Sequence, residues 1–195
     1  MNASIQIESC GPGSLDRYSS VPIRFTCDRL LDVQLIDGGL GGMRLVEVPF
    51  DPPIEKDYDA FESPVDWPRL YDMTHFQLWL ALDGGTPVGG AALVWDTPSI
   101  HMLDGRGDLA VVWDIRVHPE YRGQGIGRAL FAGAAEYART LGLKQVKIET
   151  QNNNVSANYF YHAMGARLGG IRRFAYAAEP ELADEVMMLW YLKLA

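Results

Sequence analysis

A glycine-rich loop, Arg122-Gly123-Gln124-Gly125-Ile126-Gly127-Arg128, constrains this chain more than any other segment. It follows a strand-like run, Leu109–Val117, and precedes an apolar stripe at helical spacing. Glycine permits the positive φ angles and the close ligand approach that a tight loop needs. The helix behind the loop offers unpaired N–H groups and the positive end of its dipole. The loop therefore predicts a phosphate-binding site at a strand-to-helix junction.

The spacing of the loop excludes two common phosphate-binding patterns. A dinucleotide loop needs a third glycine where this chain has Arg128 or Leu130. The Gly-Lys-Ser/Thr signature of nucleoside triphosphate loops is absent from the sequence. Taken alone, the segment is also compatible with a glycine-rich turn that merely caps a helix.

A second motif, Asn154-x-x-Ala157-x-x-x-Tyr161-x-x-x-Gly165, follows across a predicted helix and strand. Ala157, Tyr161 and Gly165 recur every four positions and so share one helix face. Asn154 precedes that helix, where an amide can cap the helix or bind a ligand. The two motifs together resemble those of the GNAT superfamily, the acetyl-coenzyme-A-dependent N-acetyltransferases. Within it, four segments are similar to streptothricin acetyltransferases: 52–59, 149–157, 169–171 with Tyr176, and 189–193.

The resemblance implies the GNAT fold, an α/β architecture with a mixed, mostly antiparallel twisted sheet, flanking helices and splayed central strands. We expect one domain over 1–195, with the core motifs in 109–176 and additional strands in 1–50. Apolar periodicity predicts helices at 125–141 and 155–164. Strands are predicted at 4–9, 23–27, 32–36, 43–48, 76–82, 87–95, 109–117, 144–150, 167–176 and 186–193.

By resemblance, acetyl-CoA is the co-substrate. Amides of residues 124–128 would hold its pyrophosphate, and the backbone N–H groups of Ile115 and Val117 would hold the pantetheine arm and the thioester oxygen. Arg122 and Arg128 add positive charge, although either could be a solvated surface cation. The cofactor-binding residues implied are Ile115, Arg116, Val117, Arg122, Gly123, Gln124, Gly125, Ile126, Gly127, Arg128, Asn154 and Ala157.

Three residues are candidates for acid–base catalysis. Tyr161 is the candidate general acid, because a phenol with a pKa near ~10 is protonated at neutral pH. Glu149 stands five residues before Asn154, the offset of the catalytic Glu in the family's ribosomal-protein N-terminal acetyltransferases. It could equally be a structural carboxylate paired with a cation. Asp114 is the second candidate base, and a surface pair with Arg116 is the competing interpretation.

The acceptor is less constrained than the donor. Residues 49–68 are acidic, aromatic and proline-rich and predict a long loop with a short helix, in which Glu55, Tyr58 and Trp67 would suit a cationic amine. A solvated acidic segment is the alternative. The resemblance implies direct transfer to a primary amine of a small cationic substrate such as a streptothricin-type antibiotic, and hence antibiotic resistance. A peptide or protein N-terminal acetyltransferase and a non-catalytic acyl-CoA-binding module are the other hypotheses.

Composition narrows the remaining classes. The formal net charge is −8, and no run of Lys or Arg suggests a nucleic-acid partner. Two cysteines and four scattered histidines show no metal-ligand spacing, so we expect no metal. No apolar run approaches the roughly 18 residues of a membrane span, and no signal peptide is visible, which makes the cytoplasm the expected location. A C-terminal edge strand would be compatible with a homodimer.

Overall fold

Strands and short helices alternate in the computed structural model, which describes residues 5–194. The helices are α1 (Leu15–Ser19), α2 (Trp67–Leu70), α3 (Ile126–Thr140) and α4 (Val155–Ala163). The strands are β1 (Ile5–Cys10), β2 (Phe25–Leu35), β3 (Met43–Lys56), β4 (Phe76–Asp83), β5 (Thr86–Trp95), β6 (Leu109–Val117), β7 (Gln145–Gln151), β8 (Arg167–Arg172) and β9 (Met187–Lys193).

Two compact units make up the described residues. The first unit comprises 5–24, 57–148 and 191–194, and the second unit comprises 25–56 and 149–190. Strands β7 and β9 each contribute residues to both units. The assignment of the whole chain to one domain stays a prediction.

The main sheet has seven strands in the order β1-β4-β5-β6-β7-β9-β8. The pairs β1/β4, β4/β5 and β5/β6 are antiparallel, whereas β6/β7 is parallel. The predicted mixed, mostly antiparallel sheet flanked by helices is therefore confirmed. The parallel pairing of β6 with β7 ends at Val112↔Ile148, although β6 continues to Val117. The expected C-terminal edge strand is wrong, because β9 lies between β7 and β8.

Helix α3 sets the position of the glycine-rich loop in the first unit. Its buried face includes Ile126, Leu130 and Phe131, and burying such side chains stabilises the fold by about 1.5–3 kcal/mol each. Glycine at position 89 of β5 allows this packing, since a Cβ there would lie 3.0 Å from the Ile126 side chain and 3.2 Å from Leu130. The predicted stripe extended to Leu141, but the helix ends at Thr140 and Leu141 is exposed.

The second unit contains a long hairpin, and the sequence pattern predicted the wrong bounds for both of its strands. Strand β2 is continuous where two short strands, 23–27 and 32–36, were predicted. Strand β3 extends to Lys56, so 49–56 is strand and not the predicted loop. It pairs with β2 across a bulge between Cys27 and Arg29. The prolines of this segment led the sequence pattern to predict a loop. They are tolerated in β3 because this sheet has only two strands, so each is an edge strand.

Two further elements, a helix and a strand, differ from the prediction. Helix α1 was not predicted, since five residues are too few for helical periodicity to be visible. It is fixed by burial, because Leu15 and Tyr18 are among the buried residues. Strand β8 ends at Arg172, short of the predicted 176.

Candidate active site

The glycine-rich loop has the backbone shape that its sequence predicts. Gly123 and Gly125 have φ angles of 76° and 87°, in the left-handed region that favours glycine. A Cβ at either position would meet no atom within 4 Å, so these glycines serve the backbone angle and not close packing. Gly125 stands directly before α3, whose first residue, Ile126, is buried. The loop and helix terminus thus have the form of an anion site that fits a pyrophosphate.

The two loop arginines have different surroundings. The Arg122 guanidinium donates to the carbonyls of Val117 at 3.0 Å and Arg24 at 2.7 Å, so it braces the loop against the end of β6. Gln124 donates from its side chain to the carbonyl of Glu120 at 3.2 Å. Arg128 is an exposed residue of the first turn of α3. Both arginines are thus exposed, and the Arg122 side chain is held by two backbone carbonyls.

Strand β6 carries a β-bulge where it pairs with β5. The register shifts between Ala92 and Leu93, and beyond it Ile115 lies opposite Ala91 and Val117 opposite Gly89. Bulges commonly occur beside active sites, where they re-aim side chains. Here the strand presents Asp114 and Arg116 to one another, with Nη2 of Arg116 2.7 Å from Oδ2 of Asp114.

The Asp114–Arg116 pair is buried, which corrects the expectation of a surface pair. Arg116 is only 2% exposed. Its guanidinium also forms a bidentate pair with Asp59, at 2.9 and 3.0 Å, and donates to the carbonyl of Val21 at 3.0 Å. The hydroxyl of Tyr18 donates to Oδ1 of Asp114 at 2.6 Å. We call Tyr18, Asp59, Asp114 and Arg116 the arginine cluster.

The surroundings of Arg116 and Tyr18 keep both of these side chains protonated. Burial alone would lower the pKa of Arg116, but Asp114 and Asp59 outweigh it and hold that pKa above its ordinary value. Burial, together with the charge of Asp114, raises the pKa of Tyr18 well above its ordinary value. Glycine at position 90 makes room for the Tyr18 ring, because a Cβ there would lie 2.5 Å from it. Asp114 thus contacts a guanidinium and a hydroxyl that both stay protonated.

The three candidate acceptor residues do not share one environment. Trp67 is 2% exposed and packs 5.7 Å from the Tyr18 ring in the core, so its faces are occupied. Tyr58 is partly buried, with its ring 6.4 Å from that of Phe61. Glu55 belongs to the second unit, on β3, and accepts a hydrogen bond from Thr26. Of the three, the position of Trp67 does not suit ligand contact.

Helix α4 is fixed at its start by asparagines. Oδ1 of Asn154 accepts from the N–H of Ala157 at 3.1 Å, the capping geometry that its position predicts. Asn158 is buried; it donates to the carbonyls of Gln151 and Asn154, both at 2.9 Å, and accepts from the Trp190 indole at 2.9 Å. Tyr161 follows on the same helix, 5% exposed, with its ring 5.2 Å from that of Phe160.

Glu149 lies at the end of β7 and bonds to a tyrosine. Its Oε1 accepts from the Tyr176 hydroxyl at 2.7 Å, and the Gln151 amide donates to the same hydroxyl at 2.9 Å. Burial, followed by the charge of Glu149 and the hydrogen bond to it, raises the pKa of Tyr176 above its ordinary value. Tyr176 was not among the predicted site residues; the only signal for it was its place in a segment similar to streptothricin acetyltransferases.

Residues 5–194 contain no group of three or more His, Cys, Asp or Glu able to hold a metal ion. Within the same residues, no helix combines the length and apolarity needed to cross a membrane.

The loop, the capped helix α4 and the residues between them fall in the stretch that matches a known family model. The model of the acetyltransferase (GNAT) family matches residues 45–166, more than half of the chain. The chain is a GNAT acetyltransferase.

Relatives of this acetyltransferase include proteins named for one antibiotic class. The streptothricin acetyltransferase of Streptomyces lavendulae is 27% identical over 89% of this chain and 87% of its own length. Higher identity, 38%, occurs with the streptothricin acetyltransferase of Escherichia coli, where the match covers 43% of this chain and 48% of the relative. The match to this chain thus spans about half the length of the Escherichia coli relative.

Solved structures match over the full length. A nourseothricin acetyltransferase shares 27% identity at a TM-score of 0.77, over 99% of this chain and 100% of the other. A putative streptothricin acetyltransferase from Bacillus anthracis, in complex with acetyl coenzyme A, shares 25% identity at a TM-score of 0.77, over 97% and 99%. The GNAT fold expected from the two motifs is thus confirmed.

Proposed function

We propose that this acetyltransferase transfers the acetyl group of acetyl-CoA directly to a primary amine of a streptothricin-type antibiotic. Full-length similarity to streptothricin and nourseothricin acetyltransferases is the observation that carries the proposal. The product would be an amide in place of the antibiotic's cationic amine. Acetylation of this kind would confer resistance to the antibiotic.

Binding of the donor is assigned to the first unit. The left-handed glycines at 123 and 125 free the loop backbone for close approach by an anion. The amides of residues 124–128, at the positive end of α3, would hold the pyrophosphate. Backbone N–H groups of Ile115 and Val117 would hold the thioester oxygen. Asn154 and Ala157, the other predicted cofactor-binding residues, belong to the second unit and lie at the capped start of α4.

Proton transfer is assigned to two residues of the second unit. Glu149 would take a proton from the substrate ammonium, leaving a neutral amine whose lone pair forms the new C–N bond. As the C–S bond breaks, its electron pair would leave with the coenzyme A sulfur. Tyr161 would donate its phenol proton to that thiolate, and the second amine proton, which the nitrogen loses as the amide forms, would restore the phenol directly or through solvent. Glu149 then returns its proton to water.

The substrate's positive charge would be matched by acidic side chains. Glu55 is exposed, and Tyr58 is only partly buried, so both remain candidates for amine contact. Asp59 and Glu62 are less exposed than Glu55 and are engaged with Arg116 and with the Tyr71 hydroxyl at 2.6 Å. We therefore assign acceptor recognition to Glu55 and Tyr58 rather than to the whole acidic segment or to Trp67.

The test is thiol release from acetyl-CoA across a panel of amines. The panel should contain streptothricin, free β-lysine, polyamines, aminoglycosides and short peptides with free N-termini. We expect streptothricin to give the highest kcat/KM, with one acetyl group found on the antibiotic by mass spectrometry. No turnover with any small amine would reject the proposal and leave an acyl-CoA-binding module.

The role of Tyr161 has its own test in Tyr161→Phe. Loss of a general acid lowers turnover by about 10²-fold or more, whereas the KM for acetyl-CoA should change little because the ring is retained. The matched control is Tyr159→Phe on the same helix, whose exposed hydroxyl bonds to Glu47 at 2.8 Å. Equal turnover in Tyr161→Phe and wild type would remove Tyr161 as the acid.

A peptide substrate is the second candidate. It is favoured by the offset of Glu149 and by 30% identity over 81 residues to the ribosomal protein bS18-alanine N-acetyltransferase of Escherichia coli. That match covers 42% of this chain, less than half of the coverage given by the Streptomyces relative. Peptides in the amine panel separate the two, since turnover of peptides above streptothricin would favour this second candidate.

A further inference from the structure

The Tyr176 hydroxyl connects two side chains of β7. Glu149 and Gln151 alternate along the strand and so share one face. Tyr176 lies in the connection between β8 and β9, and its hydroxyl oxygen is 2.7 Å from Oε1 of Glu149 and 2.9 Å from Nε2 of Gln151. One phenol thus ties this connection to the strand that carries the candidate base.

The direction of these hydrogen bonds is fixed by chemistry. A phenol has one proton to donate, and an ionised carboxylate can only accept. Because the Gln151 amide donates to the phenol oxygen, the phenol proton is available for Glu149. A hydrogen bond donated to a carboxylate stabilises its charged form and restricts its rotation. The bond from Tyr176 therefore bears on both the charge and the orientation of the Glu149 carboxylate.

Other charged groups around this phenol keep it protonated. Burial, Glu149 and the more distant Glu185 raise the pKa of Tyr176, and the hydrogen bond from Gln151 lowers it by less. Glu185 is itself buried and pairs with Lys56 at 2.5 Å. A raised pKa means that the phenol's contribution is fully present below its ordinary pKa of about 10 and is lost only above that value. Tyr176 thus remains a donor throughout the neutral range.

We propose that Tyr176, oriented by Gln151, is a positioning residue that holds the Glu149 carboxylate ionised and aimed for proton abstraction from the acceptor amine. The inference rests on the proposed function, because it assigns a partner to the base of that reaction. Tyr176 itself takes no proton in the reaction. Its removal should change how Glu149 ionises and not how acetyl-CoA binds.

The test is the pH dependence of kcat/KM in Tyr176→Phe with streptothricin as acceptor. The acidic limb reports ionisation of the base in the free enzyme. Loss of a donor to the ionised carboxylate makes that form harder to reach, so the limb should move to higher pH by about one unit. The KM for acetyl-CoA should be unchanged. Tyr159→Phe, which removes an exposed phenol bonded to Glu47, should leave the limb in place.

A double variant separates positioning from a general structural effect. If Tyr176 acts through Glu149, Tyr176→Phe should lower kcat about tenfold in wild type and have little further effect in a Glu149→Gln background. Gln151→Ala should move the acidic limb in the same direction by a smaller amount, which keeps the inference testable if Tyr176→Phe does not fold. Equal losses in both backgrounds, or an unshifted limb in both single variants, would overturn it.

Failure of the inference can be told from failure of the proposed function. If wild type acetylates streptothricin and Tyr176→Phe keeps its pH profile, only the positioning role is lost. If wild type acetylates no amine, NMR titration of the isotope-labelled Glu149 carboxyl decides the positioning role instead. An upward shift of that titration in Tyr176→Phe supports it, and identical titrations overturn it.

Discussion

Asp114 and Glu149 were both candidates for the general base, but they contact different kinds of partner. Asp114, in the first unit, accepts three hydrogen bonds from Tyr18 and Arg116 and lies beside a buried guanidinium. Glu149, in the second unit, bonds to the neutral phenol of Tyr176. The first carboxylate belongs to a buried ion pair, whereas the second accepts a hydrogen bond from an uncharged group.

The comparison separates stability from catalysis. Removing one member of a buried ion pair leaves an uncompensated charge, which costs about 3–5 kcal/mol. Removing a general base costs turnover, typically 10²–10⁴-fold, without exposing a buried charge. The arginine cluster should therefore respond to mutation in unfolding experiments, and Glu149 in kinetic ones.

The largest effect is expected for Glu149→Gln. Without a carboxylate to accept the ammonium proton, kcat should fall by about 10²–10⁴-fold. The shape of the side chain is kept, so the free energy of unfolding in urea should stay within about 1 kcal/mol of wild type. Glu47→Gln is the matched control, since Glu47 also accepts from a tyrosine of this unit, at 2.8 Å. Wild-type kcat in Glu149→Gln would end its candidacy as the base.

Arg116→Ala tests the other half of the comparison. It leaves Asp59 and Asp114 without their buried cation and should lower the free energy of unfolding by about 3–5 kcal/mol. Arg106→Ala is the control: Arg106 pairs with Asp108 at 2.9 Å and donates to Gln145 at 2.9 Å, and because that ion pair is exposed to solvent its loss should cost much less. Urea denaturation measures both. Equal losses in the two variants would contradict a structural role for the arginine cluster.

A smaller loss of stability is expected for Asp114→Asn. The amide keeps the shape of the carboxylate, and Asp59 still neutralises Arg116. Loss of the charge-assisted hydrogen bonds should lower the free energy of unfolding by about 1–3 kcal/mol. Thermal and urea unfolding of the purified variant check this. A variant as stable as wild type would show that the Asp114 charge does not contribute to the stability of the arginine cluster.

The local backbone geometry of the predicted acetyl-CoA-binding residues could be predicted from sequence, because neighbouring residues determine it. Gly123 and Gly125 have the positive φ angles that alternating glycines predict, and Asn154 caps α4 as its place before the helix indicates. Both features depend on residues a few positions apart. The bounds of helices α3 and α4 in the structure differ from the predicted bounds by one residue at an end.

The parts that sequence missed depend on distant residues. Tyr18 is separated from Asp114 by 96 positions, and Asp59 from Arg116 by 57. Nothing in a local pattern pairs them, so a buried cluster was mistaken for a surface pair. The strand at 49–56 was missed for a related reason: only the partner β2 explains why a proline-rich segment is extended. Tyr176 likewise reaches Glu149 across 27 positions.

The most direct measurement is kcat/KM for streptothricin against pH in wild type, Glu149→Gln and Asp114→Asn. We predict that wild type and Asp114→Asn share an acidic limb, in which the rate rises as a carboxylate loses its proton. Glu149→Gln should lack that rise. A limb that persists in Glu149→Gln and disappears in Asp114→Asn would contradict the account, because the base would then lie in the arginine cluster.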